Sequence, residues 1–301
     1  MEAIPELRAG LQTSCAYDFD QLAADHDDVL GINVSPYESV FSGTEGMIGG
    51  VVAASVATAY QQAGLTVDSG NVENPDHVGS EMTFLGQLCQ AEAEAWEGEL
   101  RSEATRLRGI QRQFLDEHLL RWLLLLKQAL HQQGNHFYGA LAELAWGMVM
   151  NHREDLATDS SNELLDLKLP PPPQSIHQDE AGVREIAEYL LTPAISGFYL
   201  SRDDIGRLAR AHRLPRGFGS RQDMLTNLLR AAASYDRFEL LLLDLDALMG
   251  AWHDVYASCS ELPGPVALIA SGWDARIEAS RNFVRHMRVT AQEQQEEVEN
   301  T

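Results

Sequence analysis

Three ionisable side chains stand close together in the stretch NPDHVGSEMTFLGQL, which begins at residue 74. Asp76 and His77 are adjacent, and Glu81 follows His77 by four positions, so His77 and Glu81 share one face of a helix. A carboxylate beside an imidazole can serve as an acid/base pair, part of a metal site or a binding surface. The same segment can also simply begin a helix, with Asn74 as N-cap and Pro75 in the first turn.

Other signatures of catalysis or metal binding are missing from the sequence. No HExxH or Glu-x-x-His pair adds metal ligands near His77, and no Gly-x-Ser-x-Gly elbow is present. The glycine-rich GTEGMIGG lacks the Lys-Ser/Thr of a phosphate-binding loop. Cys15, Cys89 and Cys259 lie too far apart in sequence to suggest a disulfide framework or zinc ribbon. We expect no enzymatic activity, metal or cofactor; a helical hydrolase using His77 is the least favoured alternative.

The chain is strongly acidic, with a formal net charge of -23 over 301 residues. That charge argues against general nucleic-acid binding, which needs Lys and Arg at the phosphates, and it suits a basic peptide partner. Acidic residues are dense between Val67 and Arg106. The N-terminus lacks a basic segment followed by an apolar run, and no stretch is apolar enough to span a bilayer. We expect a cytoplasmic protein without stable membrane insertion.

Apolar residues recur at helical spacing along nearly the whole chain, which predicts an all-α fold. The predicted helices cover residues 47–64, 74–95, 101–132, 136–151, 202–212, 221–232, 235–257 and 265–289. LPPPPQ at residue 169 interrupts the pattern and predicts a stiff linker. The predicted organisation is a helical bundle at 1–168, a proline-rich linker at 169–179, a helical C-terminal region at 180–290 and a frayed tail at 291–301.

Arginines are concentrated in one part of the predicted C-terminal region. Six of them lie between residues 202 and 221, on two short helices and their connection. A DNA-binding regulator that uses the helical hairpin 201–230 is the alternative function. We favour a hairpin whose arginines pair with Asp203, Asp204 and Asp223, because the connecting RLPRGFGS is longer than the tight turn of a helix–turn–helix motif.

Four stretches in this order resemble the TorD/DmsD family of cytoplasmic chaperones, the redox enzyme maturation proteins. They are SPYESVF from residue 35, ENPDHVGSEMTFLGQL from residue 73, QRQFLDEHLLRWLLLL from residue 111 and HFYGALAEL from residue 136. The Glu-x-Pro-Asp-His element is the most characteristic of them. The Phe-x-x-x-His-x-x-x-Trp pattern corresponds to Phe114, His118 and Trp122. The resemblance covers about residues 35–150.

The resemblance implies a TorD-like helical bundle and a chaperone without enzymatic turnover. Such a chaperone binds the twin-arginine leader, or the unfinished catalytic subunit, of a molybdopterin oxidoreductase until its cofactor is inserted. A scaffold that binds only folded protein is a further alternative, and a homodimer is compatible with the family. The residues expected to bind the client are Glu73, Pro75, Asp76, His77, Glu81, Phe84, Tyr37, Phe41, His118 and Trp122.

Within this set, Asp76, Glu81 and Glu73 are expected to meet the leader arginines. The aromatic residues and Leu88 are expected to line or support an apolar groove, and His77 to bond the peptide backbone or fix the Asp76 loop. We therefore interpret the helix start as a capped end whose exposed Asp76 and His77 form part of a recognition surface.

Overall fold

The computed structural model describes residues 18–64, 74–157, 169–171, 182–262 and 264–299, with side chains as far as residue 293. The chain divides into two compact units, Met1–Leu165 and Asp166–Thr301. Every regular element in the described residues is a helix, and the β contact found among them is an isolated antiparallel bridge between Tyr37 and His77. The predicted all-α fold is confirmed.

The N-terminal unit is built from α-helices and two π-helical segments. In chain order they are α1 (Phe19–His26) continued by a π segment (Asp27–Asn33), α2 (Glu38–Ser42), α3 (Gly50–Ala63), α4 (Val78–Glu97), α5 (Arg101–Phe114), a π turn (Leu115–Leu119), α6 (Leu120–Gln132) and α7 (His136–Asp155). α4 packs on α5, α6 packs on α7, and α2 contacts both α3 and α6.

The predicted helix over 101–132 is present but contains the π turn near its middle. Its inward stripe has the expected spacing, and its members are buried: Leu107, Phe114, His118, Trp122, Leu126 and Leu130. π turns in α-helices are uncommon and occur often at functional sites. This one contains His118, a residue predicted to bind the client.

The C-terminal unit contains a helical hairpin and shorter helices that pack beside it. The elements are α8 (Val183–Leu191), α9 (Pro193–Ser196), α10 (Arg202–Ala211), α11 (Arg221–Ser234), α12 (Phe238–Ser260) and α13 (Pro265–Glu299). α12 and α13 form the hairpin, α11 packs on α8, and α9 contacts α13. Trp252 and Trp273 are fully buried in this unit.

Gly197 fixes the close approach of α9 to α13. Its φ of 83° is left-handed, and a Cβ there would lie 2.7 Å from the backbone nitrogen of Ile277. The buried hydroxyl of Tyr256 donates to the Gly197 carbonyl at 2.7 Å. Any side chain at this position would therefore push α13 away as well as strain the turn.

Helices α10 and α11 of this unit begin where their capping residues predict. Ser201 with Asp204, and Ser220 with Asp223, both form complete capping boxes, as their spacing predicts. The arginine pairing is only partly as expected. Arg207 pairs with Asp203 and Asp204, and Arg210 with Asp203, whereas Asp223 is used by its cap.

The ends of the C-terminal region lie partly outside the described residues. Residues 169–171 of the proline stretch have no regular structure, and 172–179 fall outside the described part. The segment expected to fray from residue 291 continues α13 as far as Glu299. Its Gln and Glu residues have good helix propensity, and the side chain of Gln292 donates to Glu239 on α12. Over the described ranges, the helices fall short of the length and apolarity that a bilayer span requires.

Candidate functional site

Two of the motif segments pair through their backbones at the start of α4. The amide of Glu38 donates to the Asp76 carbonyl at 2.9 Å, and the amide of Val78 donates to the Pro36 carbonyl at 3.0 Å. The rings of Tyr37 and His77 meet edge to face, with centroids 5.0 Å apart. We call this paired surface, Tyr37 with Pro75 and His77, the ledge; all three residues are half-buried.

The N-cap of α4 is His77, not Asn74 as predicted. The helix begins at Val78, and Nδ1 of His77 accepts the amide of Gly79 at 3.0 Å. The antiparallel pairing with Tyr37 keeps residue 77 extended, so the chain cannot turn helical at Asn74. Because Nδ1 accepts, the neutral ring carries its proton on Nε2. Burial lowers the pKa of His77, against an opposing effect of Asp76, which favours that neutral ring.

Asp76 is buried rather than exposed, so that part of the sequence interpretation is wrong. Its side chain has 0% exposure, and Oδ2 accepts the amide of Ser39 at 2.9 Å. The Asp76 backbone carbonyl accepts the amide of Glu38 as well. Asp76 thus accepts hydrogen bonds from the first two amides of α2, those of Glu38 and Ser39, although it belongs to a different segment of the chain. Tyr37, the N-cap of α2, makes no side-chain cap, which explains why this helix needs an acid from elsewhere. Oδ1 of Asp76 has no hydrogen-bond partner.

Glu81 is also completely buried, contrary to the surface role predicted for it. It faces a cluster of motif residues that we call the carboxyl cluster: Glu38, Asp76, Glu81 and His118, with Trp122. Nδ1 of His118 lies 2.9 Å from Oε2 of Glu38, and Nε1 of Trp122 donates to Oε2 of Glu81 at 3.4 Å. Oε1 of Glu81 has no donor within reach. Three carboxyl groups thus share one interior site.

Burial sets the protonation of this cluster. Desolvation raises the pKa of Glu81 well above its ordinary value, and the nearby Glu38 and Asp76 raise it further. Desolvation also raises the pKa of Glu38, although the bond and charge of His118 oppose this. A proton held by Glu81 lets the two glutamates share a hydrogen bond. We therefore assign the proton of the pair to Glu81 and the ionised form to Glu38.

Four of the residues predicted to line or support the groove lie in the core, so they can support the site but do not line its surface. Phe41, Phe84, Leu88 and Trp122 are fully buried. The Phe41 and Trp122 rings have centroids 5.5 Å apart, and Phe84 lies 4.7 Å from Phe114. These large side chains lie on the inward faces of their helices, and burial of each contributes roughly 1.5–3 kcal/mol to folding stability. They hold α2, α4 and α6 around the carboxyl cluster.

Accessible apolar side chains lie on the loop after α2 and in the first turn of α3. Met47, Ile48 and Val51 are exposed, and we call them the apolar loop patch. The amide of Gly49 within this loop donates to the hydroxyl of Ser39, whose own amide binds Asp76. The patch is therefore tied by two hydrogen bonds to the carboxyl cluster.

A small cavity opens between α3 and α5. It measures about 60 Å³, and its lining includes Phe84, Phe114, His118 and Glu117. Ligand sites for small molecules are usually several hundred cubic ångströms, so this one suits a single side chain. No group of three or more His, Cys, Asp or Glu is placed to hold a metal ion within the described ranges.

The structure brings together residues that the sequence did not single out. Glu38 and Ser39 belong to the SPYESVF stretch, and Tyr60 donates to the Pro75 carbonyl at 2.8 Å. Burial and the carboxyl cluster raise the pKa of Tyr60, so its hydroxyl keeps its proton. Glu38 and Ser39 could have been identified from the sequence, because they lie in the SPYESVF stretch. No feature of the sequence indicates Tyr60. Glu73, a predicted client-binding residue, lies outside the described residues.

The comparison with known proteins agrees with this geometry. Residues 1–127 match the family model described as nitrate reductase delta subunit. This match confirms the resemblance to redox enzyme maturation chaperones and supports a role in molybdoenzyme maturation. It extends over α1 to most of α6 and so includes the ledge and the carboxyl cluster. No curated protein and no solved structure gave a significant match.

Proposed function

We propose that this chain is a cytoplasmic, non-catalytic chaperone that binds the twin-arginine leader, and the unfinished catalytic subunit, of a molybdopterin oxidoreductase. In this role it keeps the subunit from export until its cofactor has been inserted. One observation carries the proposal. Three of the four stretches that resemble the chaperone family meet at one place, the carboxyl cluster beneath the ledge.

The ledge supplies the direct contacts to the leader backbone. His77 is half-buried, and its Nε2 carries a proton in the neutral ring, so it can donate to a peptide carbonyl. Tyr37 holds the imidazole edge to face, which fixes its direction. Because Nδ1 is already engaged with Gly79, peptide binding and helix capping use different atoms of one side chain.

The apolar loop patch receives the apolar part of the leader. Its three side chains are exposed although apolar, and exposed apolar groups that lie close together often mark binding surfaces. The exposed Glu45 lies in the same loop and offers a carboxylate to a guanidinium. Glu73 precedes the ledge in sequence and is proposed to make a similar contact.

Asp76 and Glu81 act from beneath the ledge. Oδ1 of Asp76 is buried without a partner, an arrangement that costs free energy in the unliganded chain. Glu81 beside it holds the proton that it shares with Glu38. A leader guanidinium that reached past the ledge would donate to Oδ1 of Asp76. Phe84, Phe41, His118 and Trp122 hold these carboxyls in place rather than touch the peptide, whereas Pro75 belongs to the ledge that contacts it.

The energy of these contacts suits reversible capture. A hydrogen bond to a charged group contributes about 1.5–3 kcal/mol, and a micromolar complex requires roughly 8 kcal/mol. Two arginine contacts and one apolar contact reach that range after the cost of ordering the peptide. Reversible binding fits a client that must later be released.

Co-purification tests the proposal at the level of the client. Tagged chain should capture the catalytic subunit made without cofactor, and should capture less of the same subunit after cofactor insertion. Deleting the leader should reduce the capture. Equal capture of the finished, folded enzyme would contradict the proposal and favour a scaffold for folded protein.

A further inference from the structure

The C-terminal unit carries a basic surface in an otherwise acidic chain. Between Leu200 and Arg237, eight arginines oppose four acidic residues, while the whole chain has a net charge of -23. Some of these arginines serve the fold: Arg207 and Arg210 pair with Asp203, and Arg221 donates to the Leu200 carbonyl. The others require a separate explanation.

Two of the remaining arginines stand at an open cavity. The cavity measures about 700 Å³ and lies where the connections after α10 and α11 meet the start of α12. Its lining includes Arg213 and Arg237 together with Leu214, Pro215, Tyr235 and Leu240. Both arginines are exposed, and neither has an acidic partner among the described residues. The neighbouring His212, by contrast, is paired with Asp244 at 2.9 Å.

At this cavity Arg213 occupies a left-handed backbone position in which glycine is the usual residue. α10 ends with Arg213 at a φ of 56°, and the Leu214 amide returns to the Ala209 carbonyl at 2.8 Å. That arrangement is a Schellman motif, in which glycine is the favoured residue at the left-handed position. An arginine there retains a side chain at the cavity despite a conformation that disfavours one.

The lining is of the kind that binds another protein. Tyr235 is 63% exposed and Leu240 is 46% exposed, so the cavity lies open to solvent and cannot enclose a small molecule as ligand sites do. Tyrosine and arginine are enriched among the few residues that dominate binding energy in protein interfaces. Nucleic acid is disfavoured because the rest of the chain repels polyphosphate.

We propose that this cavity binds an acidic protein segment with a large apolar side chain. The apolar side chain enters between Leu214 and Leu240 and contacts Tyr235. Carboxylates on either side meet Arg213 and Arg237, and charge-assisted contacts of this kind are short and directional. The partner is thus opposite in charge to a twin-arginine leader.

Fluorescence anisotropy with the full chain tests this site. The probe is a labelled peptide of the sequence Glu-Glu-Trp-Glu-Glu, compared with Gln-Gln-Trp-Gln-Gln. We expect saturable, submillimolar binding of the acidic peptide, which weakens as salt is added. Arg213→Gly with Arg237→Gln should weaken it about tenfold or more. The matched control is Arg230→Gln, an exposed arginine of α11 outside the cavity, which should bind as the unchanged chain does.

Arg213→Gly also separates binding from folding. Glycine suits the left-handed position, so this variant should keep or raise the melting temperature while it loses affinity. Unchanged affinity in Arg213→Gly with Arg237→Gln, absence of saturable binding, or equal binding of the glutamine peptide would overturn the proposal. Preferential binding of a short single-stranded DNA at the same arginines would overturn it in favour of nucleic acid.

Discussion

Nδ1 of His118 lies 2.9 Å from Oε2 of Glu38, eighty positions earlier in the chain, and both side chains are buried. This contact joins the SPYESVF stretch to the Phe-x-x-x-His-x-x-x-Trp pattern. In the SPYESVF stretch the contact is made by Glu38, the first residue of the five-residue helix α2. The motifs therefore mark an interior polar cluster, and the surface above it is the part that a partner can reach.

Trp122→Phe tests the hydrogen bond to Glu81. The substitution retains an aromatic ring beside Phe41 but removes the Nε1 donor from a buried carboxyl. We expect the free energy of unfolding to fall by about 1–3 kcal/mol beyond the cost of the smaller ring. Chemical denaturation monitored by circular dichroism measures this loss.

The matched control is Trp252→Phe in the C-terminal unit. Trp252 is equally buried, but its Nε1 has no hydrogen-bond partner, so the substitution removes an unsatisfied donor. Trp252→Phe should therefore lower the free energy of unfolding less than Trp122→Phe does, by the contribution of the hydrogen bond between Trp122 and Glu81. Equal losses in the two variants would show that the Trp122 contact contributes nothing.

Glu81→Gln tests the protonation of the carboxyl cluster. The folded chain raises the pKa of Glu81, so between its ordinary value of 4.5 and the raised one the folded state binds more protons than the unfolded state. Stability must therefore fall as pH rises through that window. Glutamine retains an acceptor for Trp122 and cannot ionise. We expect the variant to be more stable than the unchanged chain at pH 7.5, by about 1–3 kcal/mol, and to depend less on pH.

Glu97→Gln is the control for that experiment, because Glu97 is exposed on the same helix. It should leave the pH dependence of unfolding unchanged. If Glu81→Gln is less stable than the unchanged chain at pH 7.5, Glu81 is ionised in the folded state and the assignment of the shared proton is wrong.

His77→Ala tests the cap of α4. Loss of the Nδ1 acceptor leaves the Gly79 amide without its partner, and we expect a loss of about 1 kcal/mol in stability. His77→Asn supplies another good N-cap and should recover most of that loss. Thermal unfolding of the two variants checks the difference. If both are as stable as the unchanged chain, His77 does not stabilise the helix.

Substitution of the apolar loop patch tests its proposed contact with the leader. Met47→Ser with Val51→Ser should leave the unfolding free energy nearly unchanged, because both side chains are exposed. Leader affinity should fall about tenfold or more, since burial of an apolar side chain contributes roughly 1.5–3 kcal/mol. Leu141→Ser, at an exposed position of α7, is the control and should retain affinity. Unchanged affinity in the double variant would remove the patch from the site.

The helical fold could be predicted from sequence because apolar spacing and capping residues are local. Ser201 and Ser220 illustrate this, since both capping boxes formed where three-residue spacing placed them. The π turn at Leu115–Leu119 could not be predicted, because its residues continue the same apolar period. Helical spacing correctly identified the inward face of Phe114, His118 and Trp122.

The burial of the acids could not be predicted by the same reasoning. The four-residue spacing of His77 and Glu81 shows that they share a face but not whether that face meets solvent. Acids are rarely buried without a partner, so exposure was the reasonable expectation for Asp76 and Glu81. Their burial depends on contacts distant in sequence: Ser39 with Asp76, and Trp122 with Glu81.

Isothermal titration calorimetry with a twin-arginine leader peptide tests the central claim most directly. We predict micromolar binding to the unchanged chain, weakened by added salt, and at least about tenfold weaker binding of a leader whose two arginines are lysines. His77→Asn, which retains the helix cap, should also lose about tenfold or more in affinity. Equal affinity of His77→Asn, with its unfolding unchanged, or the absence of saturable heat with the unchanged chain, would contradict the account.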